Sequence, residues 1–129
     1  MATEPRGKTI LVIEDDDEIR KFAARVLELE GYSVVAAADG RGGLSLAREH
    51  RPALVLLDLS LPDIGGWEVL KEIKANPELS PTPVVVFTAS VESPLKERAL
   101  SESAAGYLVK PLSSSSLKEE IARVLRAGV

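Results

Sequence analysis

Apolar residues gather in five short runs along the chain, at residues 8–13, 33–37, 53–58, 84–87 and 107–109. Runs of this length bounded by turn signals read as strands, and the most uniformly apolar read as strands buried on both faces. Between them the polar and apolar positions change period. After the first run, Ile19, Phe22, Ala23, Val26 and Leu27 follow the spacing of one helix face, and Gly31 stops the helix. Asp39 can cap a second helix reaching about His50. Gly42 and Gly43 lie inside it, each costing about 1 kcal/mol relative to Ala, so it is expected to be the least stable helix. A third helix from about Gly66 buries Val69, Leu70 and Ile73 and ends at Asn76-Pro77. Ser93-Pro94 reads as a cap followed by proline at the first helical position, opening a helix to about Glu102. The last helix buries Leu117, Ile121, Val124 and Leu125. Ser113 is its better cap, because Leu112 and Leu117 then form a hydrophobic staple; Ser116 to Glu119 is a rival capping box. The serine run at 113–116 is therefore read as a helix start and not as a linker.

Strand and helix alternate five times. That period predicts an α/β doubly wound parallel sheet with helices on both faces and right-handed crossovers. Residues 1–7 are polar and are expected to form a loose tail, leaving one domain over residues 8–127.

Composition narrows the function. The 129 residues are 45% hydrophobic and 28% charged, with a net charge of −4. A nucleic-acid surface would normally be basic. No run approaches the roughly 20 apolar residues of a membrane span, and the first residues do not form a secretory signal. There are no cysteines, so disulfides and thiolate metal sites are excluded. The expectation is a soluble cytoplasmic domain without direct nucleic-acid or membrane contact.

The candidate chemistry sits where the apolar strands stop. The first run ends in Glu14 and Asp15, the third in Asp58, the fourth in Thr88 and the fifth in Lys110. In a parallel α/β sheet these positions share the carboxyl rim, where ligands bind. Carboxylates crowded there repel, by about 4 kcal/mol for two charges 4 Å apart at an effective dielectric of 20. A hard divalent cation relieves this, and an all-oxygen donor set suits Mg²⁺. With no Cys and a single histidine, His50, a zinc site is disfavoured. A carboxylate beside a cation, a lysine and a hydroxyl can attack a phosphoryl group, whose equatorial oxygens Mg²⁺ and Lys110 would neutralise.

At this point the sequence resembles the receiver domain of two-component response regulators. The resemblance rests on Ile10-Leu11-Val12-Ile13-Glu14-Asp15-Asp16, Leu57-Asp58-Leu59-Ser60-Leu61-Pro62, Thr88-Ala89 and Tyr107-Leu108-Val109-Lys110-Pro111. It implies a flavodoxin-like (CheY-like) fold with strand order 2-1-3-4-5 and five helices. It implies Asp58 as phosphoacceptor, Asp15 and Asp58 as direct Mg²⁺ ligands with Glu14 in the acidic pair, and the Ser60 backbone carbonyl as a further ligand. Lys110 would pair with the phosphate, ahead of a cis Lys110–Pro111 bond, and Thr88 and Tyr107 would be the switch pair. The implied function is a phosphorylation-activated switch. A histidine kinase or phosphotransfer protein supplies the phosphoryl group, and the surface of helix four, strand five and helix five is what partners read. Such a domain is no enzyme beyond its own phosphorylation and dephosphorylation. Whether the surface also forms a phosphorylation-dependent homodimer, and whether the chain is stand-alone or part of a larger regulator, is left open.

Other residues have plainer readings. Asp16 and Asp17 favour a helix N-terminus, Trp67 is half-buried packing, and His50 is a helix C-terminal dipole partner and not a phosphodonor. Three positions depart from the family pattern: Ser103 stands where Gly is usual, Ala105 where an acid is common, and Gly65 where Asp or Asn is common. Ser60 and Ser90 flank the site at positions that tune dephosphorylation in the family. Two rivals are a degenerate receiver that binds protein without carrying phosphate, and an aspartyl phosphohydrolase using Asp15 and Asp17. The phosphohydrolase motif wants Thr or Val just after the second Asp, and neither Arg20 nor, in a slipped register, Glu18 or Ile19 fits. A flavin site is weaker still, because the loop it needs is acidic.

Overall fold

The computed structural model describes residues 8–88 and 93–127, with residues 93–96 described by backbone alone. The element order is β1 (Thr9–Ile13), α1 (Asp17–Leu29), β2 (Ser33–Ala37), α2 (Gly40–His50), β3 (Leu54–Asp58), α3 (Gly66–Ala75), β4 (Val84–Thr88), α4 (Ser93–Ser101), β5 (Gly106–Val109) and α5 (Ser114–Ala127). The strands form one parallel sheet in the order β2-β1-β3-β4-β5. The alternation read from the sequence is thus the architecture found. The tail expected at residues 1–7 lies outside the described residues, and Ser93, expected as a cap, is the first residue of α4.

Alternation within each strand divides the core in two. Ile10, Val12, Leu54, Leu56, Val85 and Phe87 face α1 and α5. Leu11, Ile13, Val55, Leu57, Val84 and Val86 face α2, α3 and α4. β3 and β4 are buried throughout, whereas β2, at the sheet edge, is mostly half-buried or exposed. Each helix turns its apolar stripe inward. On α5, Leu117 and Ile121 are fully buried, each stabilising the fold by about 2 kcal/mol. One stripe position was misread: Phe22 is 39% exposed, while Ala23, Val26 and Leu27 are buried. A single helix contact covers a narrower arc than the i, i+3, i+4 pattern suggests, and Phe22 lies at its margin.

The ends of the helices follow their sequence signals. Asp16 caps α1 through the Ile19 N–H (3.0 Å) and Asp39 caps α2 through the Gly42 N–H (2.7 Å). Ser113 caps α5 through the Ser116 N–H (3.0 Å), with Leu112 and Leu117 in one apolar cluster. The Ser113 cap therefore forms, and Ser116, the start of the rival box, lies inside α5. α1 closes with Gly31 N–H on Glu28 O and Tyr32 N–H on Leu27 O, a Schellman motif around a residue at φ +99°. α4 closes identically, with Ser103 N–H on Leu100 O and Ala104 N–H on Ala99 O. There the left-handed residue is Ser103, at φ +75°, so the family-like turn survives without its usual glycine.

Gly43 explains itself in three dimensions. A Cβ there would lie 2.4 Å from Ile13 Cδ1, so the glycine lets α2 press onto β1. Its helix-propensity cost is offset by that close approach. Between α3 and α4, Arg98 lies 4.0 Å over the Trp67 ring and also pairs with Glu102. Trp67 is half-buried and packs against the α2–α4 face of the core.

Candidate functional site

The site forms because the central strands end at the same level. In the sheet register Ile13 lies beside Leu57, and Asp58 beside Phe87. Glu14 extends the β1 ladder by one bond, its N–H reaching Ala37 O at 3.0 Å. Lys110 does the same beyond β5, its N–H reaching Thr88 O at 2.8 Å. Side chains leaving these positions converge at the carboxyl rim, where the strand order reverses around β1 and β3.

Glu14 and Asp58 are almost wholly buried, at 0% and 1% exposure, and Asp15 is exposed. One ligand oxygen from each lies within 4.8 Å of the others. Glu14 Oε2 accepts the Asp16 N–H at 2.9 Å, and Asp58 Oδ1 accepts the Ser60 N–H at 3.0 Å. Lys110 Nζ stands 2.8 Å from Glu14 Oε1 and 3.4 Å from Asp58 Oδ1. The Glu14 Oε1 contact is an ion pair outside hydrogen-bond geometry, and Asp58 Oδ2 has no hydrogen-bond partner among the described residues.

One ammonium therefore serves two buried carboxylates. Burial pushes Glu14 up to about 7; Lys110 and the Asp16 N–H pull it back, and Asp58 adds to the rise. Burial, the largest single influence on Lys110, pulls it down, but Glu14 and Asp58 together hold it above the usual lysine value. Burial and the neighbouring Asp58 thus disfavour an ionised Glu14, while the same negative charge holds the proton on Lys110. An all-oxygen, electron-rich cluster with an orphaned buried carboxylate oxygen fits a hard divalent cation such as Mg²⁺.

The remaining expected residues lie close by. Thr88 ends β4 and is buried. Tyr107 is half-buried opposite Val86, two residues before Thr88 on the neighbouring strand. Ser60 is exposed two residues beyond Asp58. The Lys110–Pro111 bond is cis. Gly66 is required by the site's backbone, since a Cβ there would lie 2.4 Å from Asp58 O. Gly65 adopts φ +80° and starts α3 without a side-chain cap, so the acid or amide common there in the family has no counterpart. Ala105 donates its N–H to Val84 O at 2.7 Å. Ala89 and Ser90 lie outside the described residues.

Two residues were missed by reading the sequence. Arg20 Nη1 donates to Glu14 O at 2.9 Å and Asp15 O at 3.4 Å, while Nη2 pairs with Asp17. It braces the backbone of the acidic turn. An arginine two residues after an acid run was the available signal. Asp63, in the loop after β3, accepts N–H groups from the start of α2; nothing in the local sequence announces that contact.

A doubly wound parallel sheet with an acidic, lysine-bearing cluster at its switch point defines the class. The Response regulator receiver domain model matches residues 10–122, and the chain belongs to that family. It is 39% identical to the transcriptional regulatory protein AfsQ1 of Streptomyces coelicolor, over 93% of this chain and 52% of that protein. The chain thus spans about half the length of AfsQ1. It is 35% identical to the polar-differentiation response regulator DivK of Brucella anthropi, over 88% of this chain and 93% of that one. Among solved structures, the chemotaxis response regulator CheY4 of Vibrio cholerae aligns with a TM-score of 0.87 at 29% identity, covering 92% of this chain and 98% of that one. No helix among the described residues is long and apolar enough to cross a membrane.

Proposed function

We propose that the chain is a phosphorylation-activated switch that accepts a phosphoryl group on Asp58. The observation that carries this reading is the Asp58 carboxylate itself. It is buried at a strand end, beside Glu14, Asp15 and Lys110, with Oδ2 unpartnered among the described residues. A buried charge left in that condition is destabilising, and becomes useful when a cation and a phosphoryl group complete its surroundings.

In the proposed step an Asp58 carboxylate oxygen forms a bond to phosphorus. The P–N bond of a donor phosphohistidine breaks, and the imidazole leaves with that electron pair and takes up a proton. Asp15, Asp58 and the Ser60 carbonyl would hold Mg²⁺ directly, with Glu14 beside them. The bound cation supplies positive charge against the phosphoryl oxygens. Lys110 supplies more, from an ammonium kept charged by its carboxylate neighbours. Thr88 donates a hydrogen bond to the acquired phosphate, and Tyr107 follows its movement. The protein catalyses only this transfer and the later hydrolysis, in which water takes the phosphoryl group from Asp58 as inorganic phosphate and restores the carboxylate. It takes the phosphoryl group from a histidine kinase or phosphotransfer protein in the cytoplasm and presents a changed α4–β5–α5 surface to a reader.

Intact mass after incubation with acetyl phosphate and Mg²⁺ tests this, beside Asp58→Asn and an EDTA control. The expected result is a gain of one phosphoryl group, lost in both controls. No gain, together with no binding of beryllofluoride, would overturn the reading in favour of a receiver that binds partners without phosphate.

A further inference from the structure

We propose that Asp63 is a positioning residue for this rim, fastening the loop that follows Asp58 to the start of α2. The inference rests on the function proposed above and names a residue outside the five that form the site.

The loop between β3 and α3 carries Ser60; besides the Leu59 N–H on Phe87 O at 3.1 Å, which continues the sheet, it is tied at three places. At its start the Ser60 N–H bonds to Asp58 Oδ1 at 3.0 Å. At its end the Gly66 N–H bonds to Leu59 O at 3.2 Å. Between them Asp63 reaches outside the loop. Its Oδ1 accepts the Gly40 N–H at 2.8 Å and its Oδ2 the Arg41 N–H at 2.9 Å. The start of α2 thus divides its free N–H groups between two acids. Asp39 takes Gly42 locally, and Asp63 takes the two before it from 22 and 23 residues away.

The seam is also close-packed. A Cβ on Gly40 would lie 2.7 Å from Ile64 Cγ1, 2.9 Å from Val69 Cγ2 and 3.2 Å from Asp63 Oδ1. Only glycine lets the helix start meet the loop at this distance. The Arg41 and Gly40 N–H groups hold the Asp63 carboxyl below the usual carboxylate range, as expected of charge-assisted bonds at a helix N-terminus.

A loop that supplies a cation ligand must be ordered when the cation binds. Ordering it beforehand removes that cost from binding. Asp63 does so without touching any ligand, which separates it from an ordinary helix cap. Asp39 supplies the control, since it caps the same helix without holding the loop.

The experiment is calorimetric titration of the full chain with Mg²⁺, alongside thermal unfolding, for the wild type, Asp63→Ala, Asp63→Asn and Asp39→Ala. Both alanine variants are expected to unfold at lower temperature. Only Asp63→Ala is expected to bind Mg²⁺ more weakly, by about three- to tenfold, at or below the lower end for outer-shell metal-site changes. Asp63→Asn keeps an acceptor without the charge and falls between it and the wild type, so the comparison survives if the alanine variant does not fold. Unchanged Mg²⁺ affinity in both Asp63 variants, or equal weakening in Asp39→Ala, overturns the positioning role. A wild type that binds no Mg²⁺ overturns the site reading itself, and this inference with it.

Discussion

Asp58→Asn is expected to make the metal-free protein more stable. The substitution keeps an oxygen for the Ser60 N–H, removes one charge and leaves the shape intact. The ligand oxygens of Glu14, Asp15 and Asp58 lie within 4.8 Å of one another. At that distance and an effective dielectric of about 20, each repulsion on Asp58 is about 3.5 kcal/mol. Lys110, at 3.4 Å, returns about 5 kcal/mol of attraction. Asp15 is exposed, so solvent and salt weaken its share. The charge–charge effects therefore nearly cancel, and burial decides the sign. Asp58 Oδ2 has no hydrogen-bond partner among the described residues; an orphaned buried acceptor costs about 1–3 kcal/mol, and more when charged. A neutral amide there costs less, for a net gain of about 1–2 kcal/mol and a rise in Tm of roughly 5 °C. The assay is urea unfolding followed by circular dichroism in EDTA at pH 8, where Glu14 is ionised. Added Mg²⁺ is expected to reverse the order, because the wild type gains more from binding. An Asp58→Asn protein that is no more stable than the wild type in EDTA would refute the argument that the buried, unpartnered charge destabilises the metal-free fold.

Glu14 sets the pH response. Its carboxyl is raised from 4.5 to about 7 in the fold, so its contribution is fully present below about pH 4.5 and is lost as pH rises through 7. The metal-free protein is expected to lose about 3 kcal/mol across that window, and Glu14→Gln to flatten the slope; equal slopes in urea titrations of the two proteins contradict this. Ser103→Gly removes a side chain from the left-handed turn closing α4 and is expected to stabilise by about 1 kcal/mol, read as a higher urea midpoint. A lower midpoint would mean that the serine side chain contributes more than the strain takes away.

The parts of this molecule that were legible in its sequence are those governed by neighbours along the chain. Apolar runs such as Leu54 to Leu57 stop at a polar residue because the strand emerges at the rim there, so the same break marks both strand end and site. Asp16, Asp39 and Ser113 cap helices through N–H groups three residues on, within reach of a local rule. The Asp63 contact spans 22 and 23 residues and ends on backbone N–H groups, which carry no side-chain identity to read. Lys74 is similar, donating to Ser80 O and Thr82 O to hold the turn before β4. Gly43 shows a propensity cost in the sequence, while its compensation, contact with Ile13, exists only once α2 lies on β1. Phe22 obeys helical spacing and still faces water, because spacing gives the direction of a stripe and not its width.

The chain has one tryptophan, and it lies under the Arg98 guanidinium between α3 and α4. Its emission therefore comes from a single place and carries no average over distant parts of the fold. A guanidinium against the indole face alters that emission, so separating the two helices changes the colour or yield of the light without any unfolding elsewhere. Unfolding curves followed by fluorescence will thus report the α3–α4 seam, while circular dichroism reports all the helices at once. Where the fluorescence trace runs ahead of the circular dichroism, the α3–α4 seam has opened before the rest of the domain.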